Sequence, residues 1–217
     1  MKHLRQYIRQ ILLTEGMNTP DMLPDYVMVV IKQTAPEYFM VYYGYKDNPN
    51  QVVTKGSGAV MGRVTMGKPS SNHGNCGGAM KIGHARAQHG WGPMLYDVAM
   101  EHATQIANGL IADRDSVSDD ATNVWNYYLN NRSDVVAHQL DNLSNVLTTP
   151  EDDNCNQSVA DNNDIEAVTN TIFSSMGIRG ENNPKDNQWV KSPLSKRYTK
   201  EPTTINTLKA AGKLVIL

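Results

Sequence analysis

The chain has 217 residues and a mass of 24.1 kDa, with 20 Lys+Arg against 22 Asp+Glu and a pI near 6.3. Near-neutral charge speaks against a dedicated nucleic-acid binder, which carries a clear basic excess. No run reaches the ~18 apolar residues of a membrane helix, so composition points to a soluble, globular protein. The two cysteines, Cys76 and Cys155, are too few for a disulfide scaffold and make a reducing cytoplasm the default expectation.

Residues 1–16 carry Leu4, Tyr7, Ile8, Ile11 and Leu12 at the i, i+3, i+4, i+7, i+8 spacing of an amphipathic helix, with Lys2, Arg5 and Arg9 opposite. This arm is read as a packing element or as a docking segment for a protein partner. Pro20 and Pro24 then mark a linker. Tyr26–Ile31 is a continuous β-branched run, the pattern of a strand buried on both faces. Tyr38–Tyr43, Gln51–Thr54 and Ala59–Met66 follow at the spacing of an antiparallel meander, separated by Gly- and Asn-rich turns.

A strand over Ala79–His84 leads into a helix over Met94–Ala107, with Leu95, Val98, Ala99, His102 and Ile106 on one face. Between them lies Arg86, Ala87, Gln88, His89, Gly90, Trp91, Gly92 and Pro93. Glycines opening a helix leave backbone N–H groups for a phosphate at the positive end of the dipole. The Gly-Lys-Ser/Thr ending of a nucleoside-triphosphate loop is missing, and Leu95 stands where a dinucleotide loop has its third glycine. A short strand over Gly109–Ala112 comes next. Ser118 is placed to cap a second helix whose stripe is Ala121, Val124, Trp125, Tyr128 and Leu129.

The loop and the succession of strand, loop, helix, strand and helix resemble the GCN5-related N-acetyltransferases, over roughly Tyr38 to Val135. Gly90 and Gly92 match the two small positions of that family's Gln/Arg-x-x-Gly-x-Gly/Ala loop. The Gln/Arg position falls on Ala87, with Arg86 and Gln88 on either side. The stretches 92–99 and 118–128 are also similar to acetyltransferase-like proteins of tailed phages.

The resemblance implies an α+β fold with a mixed, mainly antiparallel sheet flanked by helices. It implies acetyl-CoA as substrate, an amine acceptor of unknown identity, and no metal. Ile82, Gly83, His84, Arg86, Gln88, Gly90, Trp91 and Gly92 are the residues expected to hold acetyl-CoA. Tyr128, or Tyr127 beside it, is the expected acid for the departing thiolate, and His84 or Glu101 the expected base. The alternative reading is a phage virion-associated, accessory structural or counter-defence protein that keeps the fold without catalysis. In that setting the location is the host cytoplasm or the virion.

Other clusters carry less. His73, Cys76, His84 and His89 lack a recognised metal-ligand spacing. Cys76, between small residues, suggests a thiol nucleophile only weakly beside the commoner buried, inert cysteine. An arm (1–16), an acyl-CoA-binding core (26–135) and a loop-rich extension (136–217) packed on that core divide the chain. Within the extension, Leu140–Leu147 and Ile165–Met176 read as helical, and the acidic stretch 148–163 fails the EF-hand pattern at Gln157 and Asn163. Thr203 or Thr204 caps a final helix stopped by Gly212, before a docked apolar strand over Lys213–Leu217.

Overall fold

The structure, a computed structural model, describes residues 17–54, 58–113, 117–140, Cys155 and 192–217. The arm, the acidic stretch and the two helices expected within 140–176 lie outside these residues, except Leu140 and Cys155. The strands are β1 (Val27–Ala35), β2 (Tyr38–Tyr45), β3 (Gly62–Gly67), β4 (Met80–Ala87), β5 (Leu110–Ile111), β6 (Val135–Gln139), β7 (Lys196–Lys200) and β8 (Leu214–Ile216). The helices are α1 (Gly92–Ile106), α2 (Asp119–Asn131) and α3 (Thr203–Ala210). The architecture is mixed α+β, as the sequence led us to expect.

The chain divides into two compact units. One holds the described residues of Met1–Gly67 with Gly83–His102 and Pro202–Leu217, and the other holds Lys68–Ile82 with Ala103–Glu201.

In the first unit the strand order is β4-β3-β2-β1-β8. β1 and β2 form a long antiparallel pair from Val27↔Tyr45 to Ala35↔Tyr38, and β2 runs antiparallel to β3. Residues Val27 to Ile31 are buried without a break, as a β-branched strand covered on both faces requires. Met28, Val30 and Tyr42 pack on one face with Met40, Val52 and Val215. Val29, Ile31, Val41 and Tyr43 alternate to the other, and Tyr43 there meets Trp91 at the start of α1. The stretch Gln51–Thr54 makes only isolated bridges, Gly44↔Val52 and Thr54↔Val60, in place of the expected strand. Gly62 allows β3 to pass under α1, since a Cβ there would stand 2.8 Å from Leu95 Cδ1.

The C-terminal strand is docked, as expected: β8 pairs in parallel with β1 through Val29↔Leu214, Val30↔Val215 and Ile31↔Ile216. The helix before it ends where glycine permits, with Gly212 at φ 63° and Ala211 N–H bonded to Thr207 O. Its start departs from expectation. Pro202 holds the N-cap position and supplies no side-chain bond, so neither Thr203 nor Thr204 is the cap. The cap comes from a distant helix, as described below.

In the second unit the order is β6-β7-β5-β4, with β4 contributing its first residues. β4 and β5 are parallel at Met80↔Leu110 and Lys81↔Ile111, while β5–β7 and β7–β6 are antiparallel. Ser118 caps α2 as expected, its side chain accepting from Ala121 N–H. Trp125 of α2 stacks on Tyr198 of β7 with centroids 4.9 Å apart, and both rings are buried. Residues 196–200 therefore form a core strand.

Cys76 and Cys155 are joined by a disulfide and sit in a small buried cluster with Ala79, Ile111 and Leu140. This corrects the expectation of two free thiols. The sequence separation of 79 residues hides from a linear reading that both belong to one cluster. A disulfide-bonded sulfur is no thiol nucleophile, so that reading of Cys76 falls in this state.

Candidate functional site

The loop between β4 and α1 is held from several sides, all within the first unit. Gln88 N–H donates to Met61 O at 2.9 Å, and Trp91 N–H donates back to Gln88 O at 3.0 Å. Asn18 N–H donates to Gly90 O at 3.0 Å, and the Tyr43 hydroxyl donates to Trp91 O at 2.7 Å. Tyr43 also meets the Trp91 ring edge-on, 5.5 Å between centroids. Its phenol is pushed far above its ordinary pKa by burial, and further by the nearby Asp97, so it stays a neutral donor.

These bonds tie down the carbonyls of Gly90 and Trp91. In a trans peptide the carbonyl and the following N–H point in opposite directions. The N–H of Gly92 therefore points away from the Tyr43 hydroxyl, and it donates to no acceptor found among the described residues. The Gly90 N–H, at φ 79°, also finds no acceptor among the described residues. The Trp91 N–H, by contrast, is spent on the turn. Of the Gly90, Trp91 and Gly92 amides, two have no partner among the described residues. α1 begins at Gly92, two residues earlier than its periodicity suggested, with Pro93 in its first turn where no donor is lost.

The other expected cofactor contacts lie along β4. Ile82 is buried, whereas Gly83, His84 and Arg86 are exposed and Gln88 is half-buried. His84 is fixed through its backbone: its N–H donates to Thr65 Oγ1 at 2.9 Å, and the Thr65 hydroxyl donates to His84 O at 3.3 Å. The imidazole is left on an accessible stretch of strand.

Glu101 is placed very differently. It is fully buried on α1, and its carboxylate accepts from Ile205 N–H at 2.7 Å, Thr204 N–H at 2.9 Å and the Thr203 hydroxyl at 3.3 Å. This is a helix N-cap delivered from 102 to 104 residues away in sequence. It satisfies donors that an α-helix leaves open at its start and sets negative charge against the positive dipole end.

Tyr127 and Tyr128 lie on α2 in the second unit, both buried. Their rings meet edge-to-face at 6.0 Å, Trp125 lies 6.3 Å from Tyr128, and the Arg132 guanidinium lies 5.3 Å over the Tyr128 ring. Arg132 in turn bonds Asp134 through both nitrogens at 2.7 Å. Those bonds, with the positive charges of Arg132 and Lys200, hold the Asp134 carboxyl down at about 2 against the opposing effect of burial.

Sequence reasoning missed Asn18, Tyr43 and Thr65, which position the loop and His84. Each acts through hydrogen bonds to residues distant in sequence, which no spacing in the chain announces. Among the described residues no cluster of three His, Cys, Asp or Glu side chains is gathered to hold a metal, and no helix is long and apolar enough to cross a membrane.

The fold and loop define a mixed α+β protein with a glycine-containing turn feeding a helix that follows a parallel strand. Comparison with protein-family models, curated proteins and solved structures finds no match for this chain.

Proposed function

We propose that the chain is an acyl-CoA-dependent N-acyltransferase that moves an acetyl group from acetyl-CoA to an amine. The observation that carries this reading is the Gln88–Gly92 loop. Its carbonyls are tied by Asn18 and Tyr43, and among the described residues the Gly90 and Gly92 amides, at the start of a 15-residue helix, have no partner. Such a helix start attracts negative charge, and a pyrophosphate is a matching ligand. The parallel β4–β5 pair, with α1 between the strands in sequence, supports the resemblance to N-acetyltransferases.

In this reading the amine attacks the thioester carbonyl, a C–N bond forms, and the C–S bond breaks from the tetrahedral intermediate. A backbone amide of β4 other than that of His84, which Thr65 already engages, donates to the oxyanion, a contribution worth about 3–4 kcal/mol where it has been removed from other enzymes. The amine proton passes to His84, which is exposed, in preference to Glu101, whose carboxylate already caps α3. Arg86 and Gln88 flank the loop for the phosphates, and Trp91 covers the helix start. The resemblance assigns the return of a proton to the thiolate to Tyr128, with Tyr127 beside it.

Thermal unfolding with acetyl-CoA tests the reading. At about 100 times the dissociation constant a binder gains about 2.7 kcal/mol, or roughly 5–10 °C for a chain of this size. Gly92→Trp is the matched control, because a Cβ at Gly92 meets only Ala87 Cβ at 3.6 Å, an ordinary contact. The variant keeps the fold and loses the shift. A wild-type chain indifferent to acetyl-CoA and to coenzyme A overturns the proposal and leaves the non-catalytic accessory reading in its place.

A further inference from the structure

The buried imidazole of His102 plays no part in the acyl-transfer reading. It sits on α1 one residue after Glu101, and it is 94% buried, given an exposure of 6%. Its Nε2 has no hydrogen-bond partner among the described residues. From β2 it meets the ring of Phe39, edge-on with centroids 5.1 Å apart. From α3 the charged group facing it is Lys209, a cation. The carboxylate beside it on its own helix, Glu101, is engaged with the first turn of α3. A proton on His102 thus finds a buried apolar setting, a nitrogen with no acceptor among the described residues and a like charge, while the neighbouring anion is engaged with the start of α3.

We propose that His102 makes the docking of the C-terminal helix α3 on the first unit acid-sensitive: protonation of the buried imidazole drives α3 off its seat on α1. α3 is well suited to such release. It is eight residues long, buries only Ile205 and Leu208, and its first turn is capped from α1 by Glu101, the residue next to His102. Isolated helices of this length are not stable in water.

Burial, and then Lys209, hold His102 below its ordinary pKa of 6.5 in the folded chain. The released form therefore binds the proton more readily than the docked one. Docking is at full strength above pH 6.5 and weakens as pH falls below it. At pH 5 an imidazole of ordinary pKa favours the released form by at most about thirty-fold.

The test is amide hydrogen exchange of residues 203–210 in the intact protein at pH 8 and pH 5, corrected for intrinsic exchange. Protection of α3 is expected to fall at the lower pH in the wild type, by at most about thirty-fold. In His102→Gln it is expected to be independent of pH, and His102→Leu serves if the glutamine variant does not fold. Lys209→Gln removes the like charge and is expected to shrink the wild-type loss. Equal protection at both pH values, or an undiminished loss in the non-titrating variants, overturns the proposal. The outcome does not depend on acetyl-CoA binding.

Discussion

Glu101→Gln distinguishes a structural carboxylate from a catalytic one. The native carboxylate is buried and accepts two backbone amides, at 2.7 and 2.9 Å, and a threonine hydroxyl at 3.3 Å. A hydrogen bond to a charged acceptor is worth about 1.5–3 kcal/mol. Glutamine retains one accepting oxygen and turns an NH2 group toward the remaining donors, which leaves at least one N–H of α3 unsatisfied in a buried place. The attraction between the negative charge and the helix start is lost as well, about 0.3–1 kcal/mol or somewhat more when desolvated. Together these give about 2–4 kcal/mol. At about 2–4 °C per kcal/mol for 150–250 residues, the melting temperature is expected to drop about 5–15 °C. The assay is thermal or urea unfolding, with hydrogen exchange over α3 to locate the loss. A melting temperature within about 2 °C of wild type refutes the capping argument. If that same variant lost its turnover, Glu101 would take the base role that His84 holds in our reading.

Three further outcomes follow from other residues. Reduction of the Cys76–Cys155 disulfide, or Cys76→Ser, opens a 79-residue loop, and chain entropy puts the cost at about 4–5 kcal/mol; a reduced protein that melts with the oxidised one disproves this. Gly109→Ala is expected to cost more than the ~1–3 kcal/mol of a strained backbone, because Gly109 has φ 102° and a Cβ there would lie 2.5 Å from Tyr198 O. Unchanged urea unfolding would contradict it. Tyr128→Phe is expected to lower kcat at least tenfold while coenzyme A binding is kept, and equal turnover moves the acid role to another group.

Much of the first unit could be read directly from the chain. The unbroken apolar run of β1, the spacing of α1 and the glycine after α3 each report a local physical demand: burial on both faces, a helical stripe, a left-handed stop. Ser118 was legible for the same reason, since a cap acts within one turn. β6 and β7 were not. Lys196, Tyr198 and Lys200 are the inward positions of β7, so the alternation places lysine where a core residue is looked for. Lys200 is accepted because Asp134 stands 3.4 Å away, and Lys196 because its ammonium donates to Gln139. Burial nonetheless lowers the Lys196 pKa to about 8. These compensations come from residues 57 to 66 positions distant.

The candidate site divides along the same line. Gly90, Gly92 and the helix they open were visible as residue types in a pattern, because a phosphate-binding turn is built from local backbone. Which of its amides remain open was decided by Asn18 and Tyr43, 72 and 48 residues away from the groups they hold. Glu101 looked like a base by its position after the loop, and tertiary contact made it the cap of α3. A linear chain displays periodicity and turn chemistry, which act over a few residues. The partner of a buried charge, a carbonyl or a cysteine is chosen by the whole fold, and only the folded chain shows it.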